Sequence, residues 1–138
     1  MVKIDDQGLF EKVEMKLIPI LAEMELNGIA IDSGVLKKIS KDVATEINKI
    51  TKQIQKEAGE DFNVASPTQL RDILFDKLKL SSDGIKKGKT GYSTADAELE
   101  KLIDEHPIIS MIRDYRELAK LQNTYVDVLP TLVNKKTG

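Results

Sequence analysis

The chain has 138 residues, room for one domain with a modest core, and with aromatics at only 4% and no Trp that core has to be built from Ile, Leu and Val. Charged residues make up 32% yet sum to a net charge of −2, which excludes a globally basic nucleic-acid binder and leaves such a role only to a local patch. Cysteine is absent and His106 is the single histidine, so a disulfide framework, a thiolate metal site and a multi-histidine metal centre are all excluded.

No apolar run approaches the roughly 20 residues of a membrane span. The start, Met1-Val2-Lys3-Ile4-Asp5-Asp6, has neither the pattern of a signal peptide nor that of a transit peptide. A cytoplasmic protein with no membrane partner is expected. Residues 8–27 read as a helix, because Phe10, Val13, Leu17, Leu21 and Met24 fall on one stripe. Pro19 removes one hydrogen bond inside it, so a kink is expected between Met15 and Pro19. Asn27-Gly28 ends the helix and Ile29-Ala30-Ile31 forms a short extended link.

Asp32 or Ser33 suits the cap of a second, longer helix. Leu36, Ile39, Val43, Ile47, Ile50 and Ile54 recur at three- and four-residue steps over 33–59, flanked by Lys37, Lys38, Lys41, Lys49, Lys52 and Lys56. Such a helix would reach about 39 Å and cannot bury its seam alone. The lysine flanks read as the solvated faces of a coiled-coil-like pair.

Gly59 stops this helix. Ser66-Pro67-Thr68-Gln69 is a capping box with proline at the first helical position, and Leu70, Ile73, Leu74 and Leu78 give the helix that follows an apolar face. From Ser81 to Ser93 there is no apolar period and there are three glycines, so the segment reads as a mobile loop. Between Lys77 and Ser93, five lysines stand against one aspartate, a local charge of +4. Ser93-Thr94-Ala95-Asp96 caps a short helix with Leu99, Leu102 and Ile103 inside. Its acidic surface (Asp96, Glu98, Glu100, Asp104, Glu105) is expected to point away from any phosphate. His106, just before a proline, reads as a cap or surface residue.

The last helix spans 107–130, with Pro107 at its first position. Ile108, Ile112, Tyr115, Leu118 or Ala119, Gln122, Val126 and Leu129 mark its buried face, and the 33–59 helix is its natural antiparallel partner. Arg113, Arg116, Lys120 and Asn123 share another face. Donors at that spacing fit either a row of phosphates or an ordinary solvated surface.

Gly84-Ile85-Lys86-Lys87-Gly88-Lys89-Thr90 imitates a phosphate-binding P-loop. It has three residues where the motif needs four, and a charged helix end where the motif needs a buried strand, so a nucleoside-triphosphatase is rejected.

Tyr115-Arg116-Glu117-Leu118-Ala119-Lys120-Leu121, then Thr124-Tyr125, Leu129-Pro130 and Lys136-Thr137-Gly138, resemble one passage of the family A DNA polymerases of the bacterial type: the long thumb helix before the palm. Phe62-Asn63-Val64, Ser66, Gln69-Leu70 and Ile73-Leu74-Phe75 are similar to that family's approach to the thumb tip, and Lys89-Thr90-Gly91 followed by Ser93-Thr94 to its Gly/Lys-rich tip loop. Met24-Glu25, Asn27-Gly28-Ile29, Ile31-Asp32 resemble the opening of its polymerase portion.

The resemblance implies an all-α thumb subdomain over 1–138: an opening helix and link at 8–32, paired long helices at 33–59 and 107–130, and a tip at 60–106 of two short helices and a basic loop. It implies a grip on the backbone of duplex primer-template DNA by Asn63, Ser66, Lys86, Lys87, Lys89, Thr90, Ser93, Thr94, Arg116 and Lys120. Ala65, Pro67 and Ala95 depart from polar positions in the family.

The family's nucleotidyl transfer rests on palm carboxylates holding metal ions, Mg2+ in the parent enzyme, and on a fingers helix. No palm or fingers motif occurs in this sequence, so the chain alone is read as non-catalytic, with no cofactor of its own and with palm, fingers and DNA as partners. The rival reading is a free-standing helical adaptor that binds another protein through its paired helices.

Overall fold

Asp32 begins the larger of two compact units, Asp32–Asn134; the smaller comprises Met1–Ile31 and Lys135–Gly138. The structure, a computed structural model, describes residues 6–134 and Lys136. Thr137 and Gly138, which close the last family match, therefore lie outside the described residues, as do Met1 to Asp5.

In the smaller unit, helix α1 runs as α-helix over Asp6–Leu9, as a π turn over Phe10–Glu14 and again as α-helix over Met15–Asn27. Pro19 has no N–H for the carbonyl one turn before it, and the departure from regular geometry lies N-terminal to it, at the π turn, rather than between Met15 and Pro19 as expected. Gly28, at φ 64°, closes the helix by donating to the Met24 carbonyl at 2.9 Å. The stripe forms as the periodicity predicts, but Phe10, Val13, Leu17, Leu21 and Met24 all remain exposed.

In the larger unit, α2 spans Ser33–Ala58. Asp32 Oδ1 accepts from the N–H groups of Gly34 and Val35, at 2.8 and 3.0 Å. At the other end Gly59 adopts φ 71°, with Gly59 N–H on the Lys56 carbonyl and Glu60 N–H on Gln55, a Schellman closure. α3 follows as Pro67–Arg71, continued by a π turn over Asp72–Lys77. Its capping box is displaced: Ser66 Oγ accepts from Gln69 N–H at 3.4 Å, but Gln69 Oε1 accepts from Asn63 N–H at 2.7 Å instead of from Ser66. The Ser66 N–H is already taken by the Asn63 carbonyl, at 2.9 Å.

The stretch expected as a loop without regular structure contains a small antiparallel hairpin, β1 Lys87–Gly88 and β2 Gly91–Tyr92. Lys87 faces Tyr92 and Gly88 faces Gly91 across the two-residue turn Lys89-Thr90. The all-α expectation therefore holds for the helices and needs this one correction. Of the glycines that suggested a loop, Gly91 leaves the turn at φ 118°, a backbone conformation that favours glycine.

α4, Asp96–Leu99, continues as a 3-10 turn over Glu100–Leu102. α5 spans Ile108–Leu121 with a π turn over Gln122–Val126, and a 3-10 turn at Leu129–Leu132 follows. His106 is its cap, with Nδ1 accepting from Ile108 N–H at 3.1 Å, so Pro107 occupies the position where its missing N–H costs nothing.

α2 and α5 pack antiparallel. Ser40, early in α2, donates to Asp127 beyond the end of α5 at 2.7 Å, while Ile50 further along α2 lines a groove with Leu118 and Leu121. The core does not run the length of this pair. Ile54, Leu70, Leu74, Leu99, Leu102, Ile108, Ile109 and Ile112 are the fully buried large side chains, and they gather where α2 ends, α5 begins and α3 and α4 lie across them. Leu36, Val43 and Ile47 are only half-buried and Ile39 is exposed, because two helices alone cannot enclose the seam between them. Each buried Ile or Leu contributes about 1.5–3 kcal/mol. The core thus anchors the tip-bearing end of the pair. Among the described residues no helix is long and apolar enough to cross a membrane.

Candidate nucleic-acid interface

The segment from Thr90 to Ala95 is short, and two arginines from different helices hold it. Arg71, the last residue of the α-helical part of α3, donates from Nε to the Tyr92 carbonyl at 3.1 Å and from Nη1 to the Thr90 carbonyl. Arg116, in the middle of α5, donates from Nη1 to the Thr94 carbonyl and from Nη2 to Thr94 Oγ1 at 3.4 Å. Partial burial pushes the Arg116 guanidinium below its ordinary value, and the carboxylate of Asp96 works the other way. Between them these residues line a groove of about 460 Å³ with Pro67, Gly88, Thr90, Gly91, Tyr92, Ser93 and Ala95.

The hairpin presents its lysines outward. Lys86, Lys87 and Lys89 are all exposed. Lys87 Nζ lies 5.2 Å from the centre of the Tyr92 ring, and that ring packs on Phe75 at 5.0 Å between centroids. The Ser93 N–H donates to the Lys86 carbonyl at 2.8 Å and the Lys86 N–H to Glu98 Oε2 at 3.1 Å, so the base of the hairpin is bonded on both sides. Glu98 also accepts from Lys101 Nζ at 2.7 Å. That bond first, and the Lys86 amide second, hold its carboxyl below the usual carboxylate range. The Lys101 ammonium in turn donates to the Gly84 carbonyl at 2.8 Å.

The predicted residues divide into groups. Thr90, Ser93, Thr94 and Arg116 share the groove, although Thr94 is itself buried and its carbonyl and hydroxyl both face Arg116. Arg116 and Lys120 line an adjoining groove of about 480 Å³ along α5. Asn63 and Ser66 line neither. Asn63 Oδ1 accepts from Ala65 N–H at 3.0 Å and Ser66 caps α3, so both serve the local turn.

Asp96, on the acidic helix α4, lines the same groove as Arg113, Arg116 and Lys120 and is paired with Arg113. Arg71 escaped the sequence reading, which named Gly91 only as part of the tip-loop motif. The available signal was that Arg71 is one of only three arginines in the chain and follows Pro67 by one helical turn.

Among the described residues no group of three or more His, Cys, Asp or Glu side chains is placed to hold a metal ion.

A mostly helical unit whose paired helices carry a basic, hydroxyl-lined tip defines the class. The profile of DNA polymerase family A matches residues 33–138, and the chain belongs to that family. It is 49% identical over 129 residues to DNA polymerase I of Synechocystis sp., covering 94% of this chain and 13% of that protein. To DNA polymerase I of Caldicellulosiruptor bescii it is 46% identical, covering 96% of this chain and 15% of that protein. To DNA polymerase I of Bacillus subtilis it is 44% identical, covering 91% and 14%. The chain thus spans about one seventh of the length of these curated relatives. Among solved structures, the POL domain of Pol1 from M. smegmatis in complex with DNA primer-template and dNTP superposes with a TM-score of 0.78 at 32% identity, covering 94% of this chain and 23% of that one.

Proposed function

We propose that residues 1–138 form the thumb subdomain of a bacterial-type family A DNA polymerase, and that its tip grips the sugar–phosphate backbone of primer-template duplex behind the active site, so supporting processivity. The observation that carries this reading is the groove where Arg71, Arg116 and the hydroxyls of Thr90 and Ser93 converge, with Lys86, Lys87 and Lys89 on the hairpin beside it. The Arg116 guanidinium, the hydroxyls and a lysine-bearing turn suit phosphate oxygens and carry no base code. Binding is therefore insensitive to sequence.

By itself the chain has no catalytic role. Nucleotidyl transfer and the Mg2+ it uses fall to the palm and fingers of the parent enzyme, which act on nucleoid DNA in the cytoplasm. The exposed apolar stripe of α1, with Phe10 at 56% and Met24 at 61% exposure, favours a protein partner, and we assign it to those other subdomains rather than to the target of an adaptor.

With a net charge of −2 working against the tip, the isolated chain binds duplex DNA with a Kd of about 10⁻⁴ M or weaker at physiological salt. Fluorescence anisotropy with labelled duplexes of unrelated sequence tests this. Lys89→Ala and Arg116→Ala each weaken binding equally on all sequences and flatten the log–log salt dependence by about one unit, whereas Lys49→Ala on α2 does neither. Equal losses from all three variants would assign binding to diffuse charge.

A further inference from the structure

The hairpin that carries Lys89 and Thr90 has two residues per strand, and glycine stands on both sides of its turn. A ladder this short is marginal in water, and glycine broadens the conformations open to the turn. Something outside the hairpin has to fix the direction in which the turn points.

Resting on the reading of the tip as a DNA-binding site, we propose that Arg71 is the positioning residue of that site: its guanidinium clamps the turn from α3 and so sets the direction in which Lys89 and Thr90 are presented to the duplex backbone.

Arg71 Nε and Nη1 donate to the carbonyls of Tyr92 and Thr90, one on each side of Gly91. A planar fork makes both bonds at once, which a lysine ammonium on a flexible stem does not. The stem itself is held, since α3 is fixed by the neighbouring Leu70, which is fully buried, with Leu74 and the Ser66 cap on either side.

Gly91 is shaped to admit the clamp. Its φ is 118°, and a Cβ placed there would lie 2.8 Å from Arg71 Cδ and 3.1 Å from Nε. Glycine is therefore required at 91 both by the backbone and by the arginine passing over it. With Arg116 holding Thr94 at the other end, the segment from Thr90 to Thr94 is tied to two helices.

The test compares the full chain with Arg71→Ala, Arg71→Lys, Gly91→Ala, Lys89→Ala and the Arg71→Ala/Lys89→Ala double variant, using anisotropy with a labelled mixed-sequence duplex. Arg71→Ala, Arg71→Lys and Gly91→Ala are each expected to lose roughly fivefold in affinity, about what one unmade phosphate contact is worth. Two of these keep every charge, so the loss reports geometry. Lys89→Ala adds less than about twofold on top of Arg71→Ala, because the contact is already misdirected.

A readout without DNA runs alongside: the Ser93 amide, bonded to the Lys86 carbonyl at the hairpin base, exchanges its hydrogen faster in Arg71→Ala and Gly91→Ala while the amides of α5 are unchanged. Wild-type affinity in Arg71→Lys and Gly91→Ala overturns the proposal, as does a double variant whose losses multiply, which would make Arg71 an independent phosphate contact. Unchanged Ser93 exchange overturns the clamp itself. Faster exchange in a chain that binds no duplex keeps the clamp and sinks the DNA-binding reading.

Discussion

Arg113 closes a two-pronged ion pair on Asp96, Nε to Oδ1 at 2.9 Å and Nη2 to Oδ2 at 3.2 Å, and so joins the middle of α5 to the start of α4. That hydrogen bond, more than any other influence, raises the guanidinium further above its ordinary range. Of the three charged donors that share a face of α5 in sequence, Arg113 is thus tied to a carboxylate, Arg116 to a carbonyl, and Lys120 extends from the exposed surface.

The pair predicts the effect of Asp96→Asn. Removing this negative charge from the groove that Arg116 and Lys120 line releases Arg113 toward the same phosphates. Duplex affinity therefore rises, and the log–log salt slope steepens by up to about one unit. Weaker binding in a titration across salt concentrations would show that the pair supports the site and does not mask it.

Stability is concentrated where the two long helices meet the tip. Ile112→Ala empties a fully buried position and costs about 2–5 kcal/mol. Ile39→Ala, on the same predicted seam but at a position 37% exposed, costs less than about 1 kcal/mol. Urea unfolding followed by circular dichroism checks the contrast, and similar costs at both positions would mean that the seam is buried along its whole length.

Acid weakens the tip through Glu98. Its carboxyl is held below the usual carboxylate range by Lys101 and the Lys86 amide, so its contribution is present above that range and is lost as pH falls through the lower, folded-state value. The urea midpoint of wild type should exceed that of Glu98→Gln at pH 6, and the gap should close as pH falls below about 4. A gap that persists at pH 3 contradicts the assignment.

Local signals in the sequence were enough to place most helix ends. Asp32, Gly59, Ser66 and Pro107 each act where their backbone chemistry puts them, because a cap depends on only a few neighbouring residues. The buried positions were harder. The period of α2 predicts one seam from Leu36 to Ile54, but burial depends on what lies across the helix, and α3 and α4 cover only its last turns. Ile109 illustrates the same limit: it lies off the predicted stripe of α5 and is fully buried because a second layer approaches from the tip.

The candidate site could be read from the sequence residue by residue and not as an arrangement. Thr90 and Ser93 are candidates through their resemblance to a family passage, and Arg116 through that resemblance and its helical spacing. The contacts that organise them, Arg71 with Thr90 and Tyr92, Asp96 with Arg113, link residues 17 to 21 positions apart, and no periodicity or cap motif encodes a pairing of that kind.

The central claim is that the tip, and no other surface, meets the duplex. Titrating mixed-sequence duplex into isotopically labelled protein and following backbone amide shifts measures this most directly. Shifts are expected to concentrate at residues 86–95 and around Arg116 and Lys120, and to fade together as salt is raised. Shifts that centre on α1 or on Lys49 and its neighbours in α2, with residues 86–95 unmoved, would contradict it.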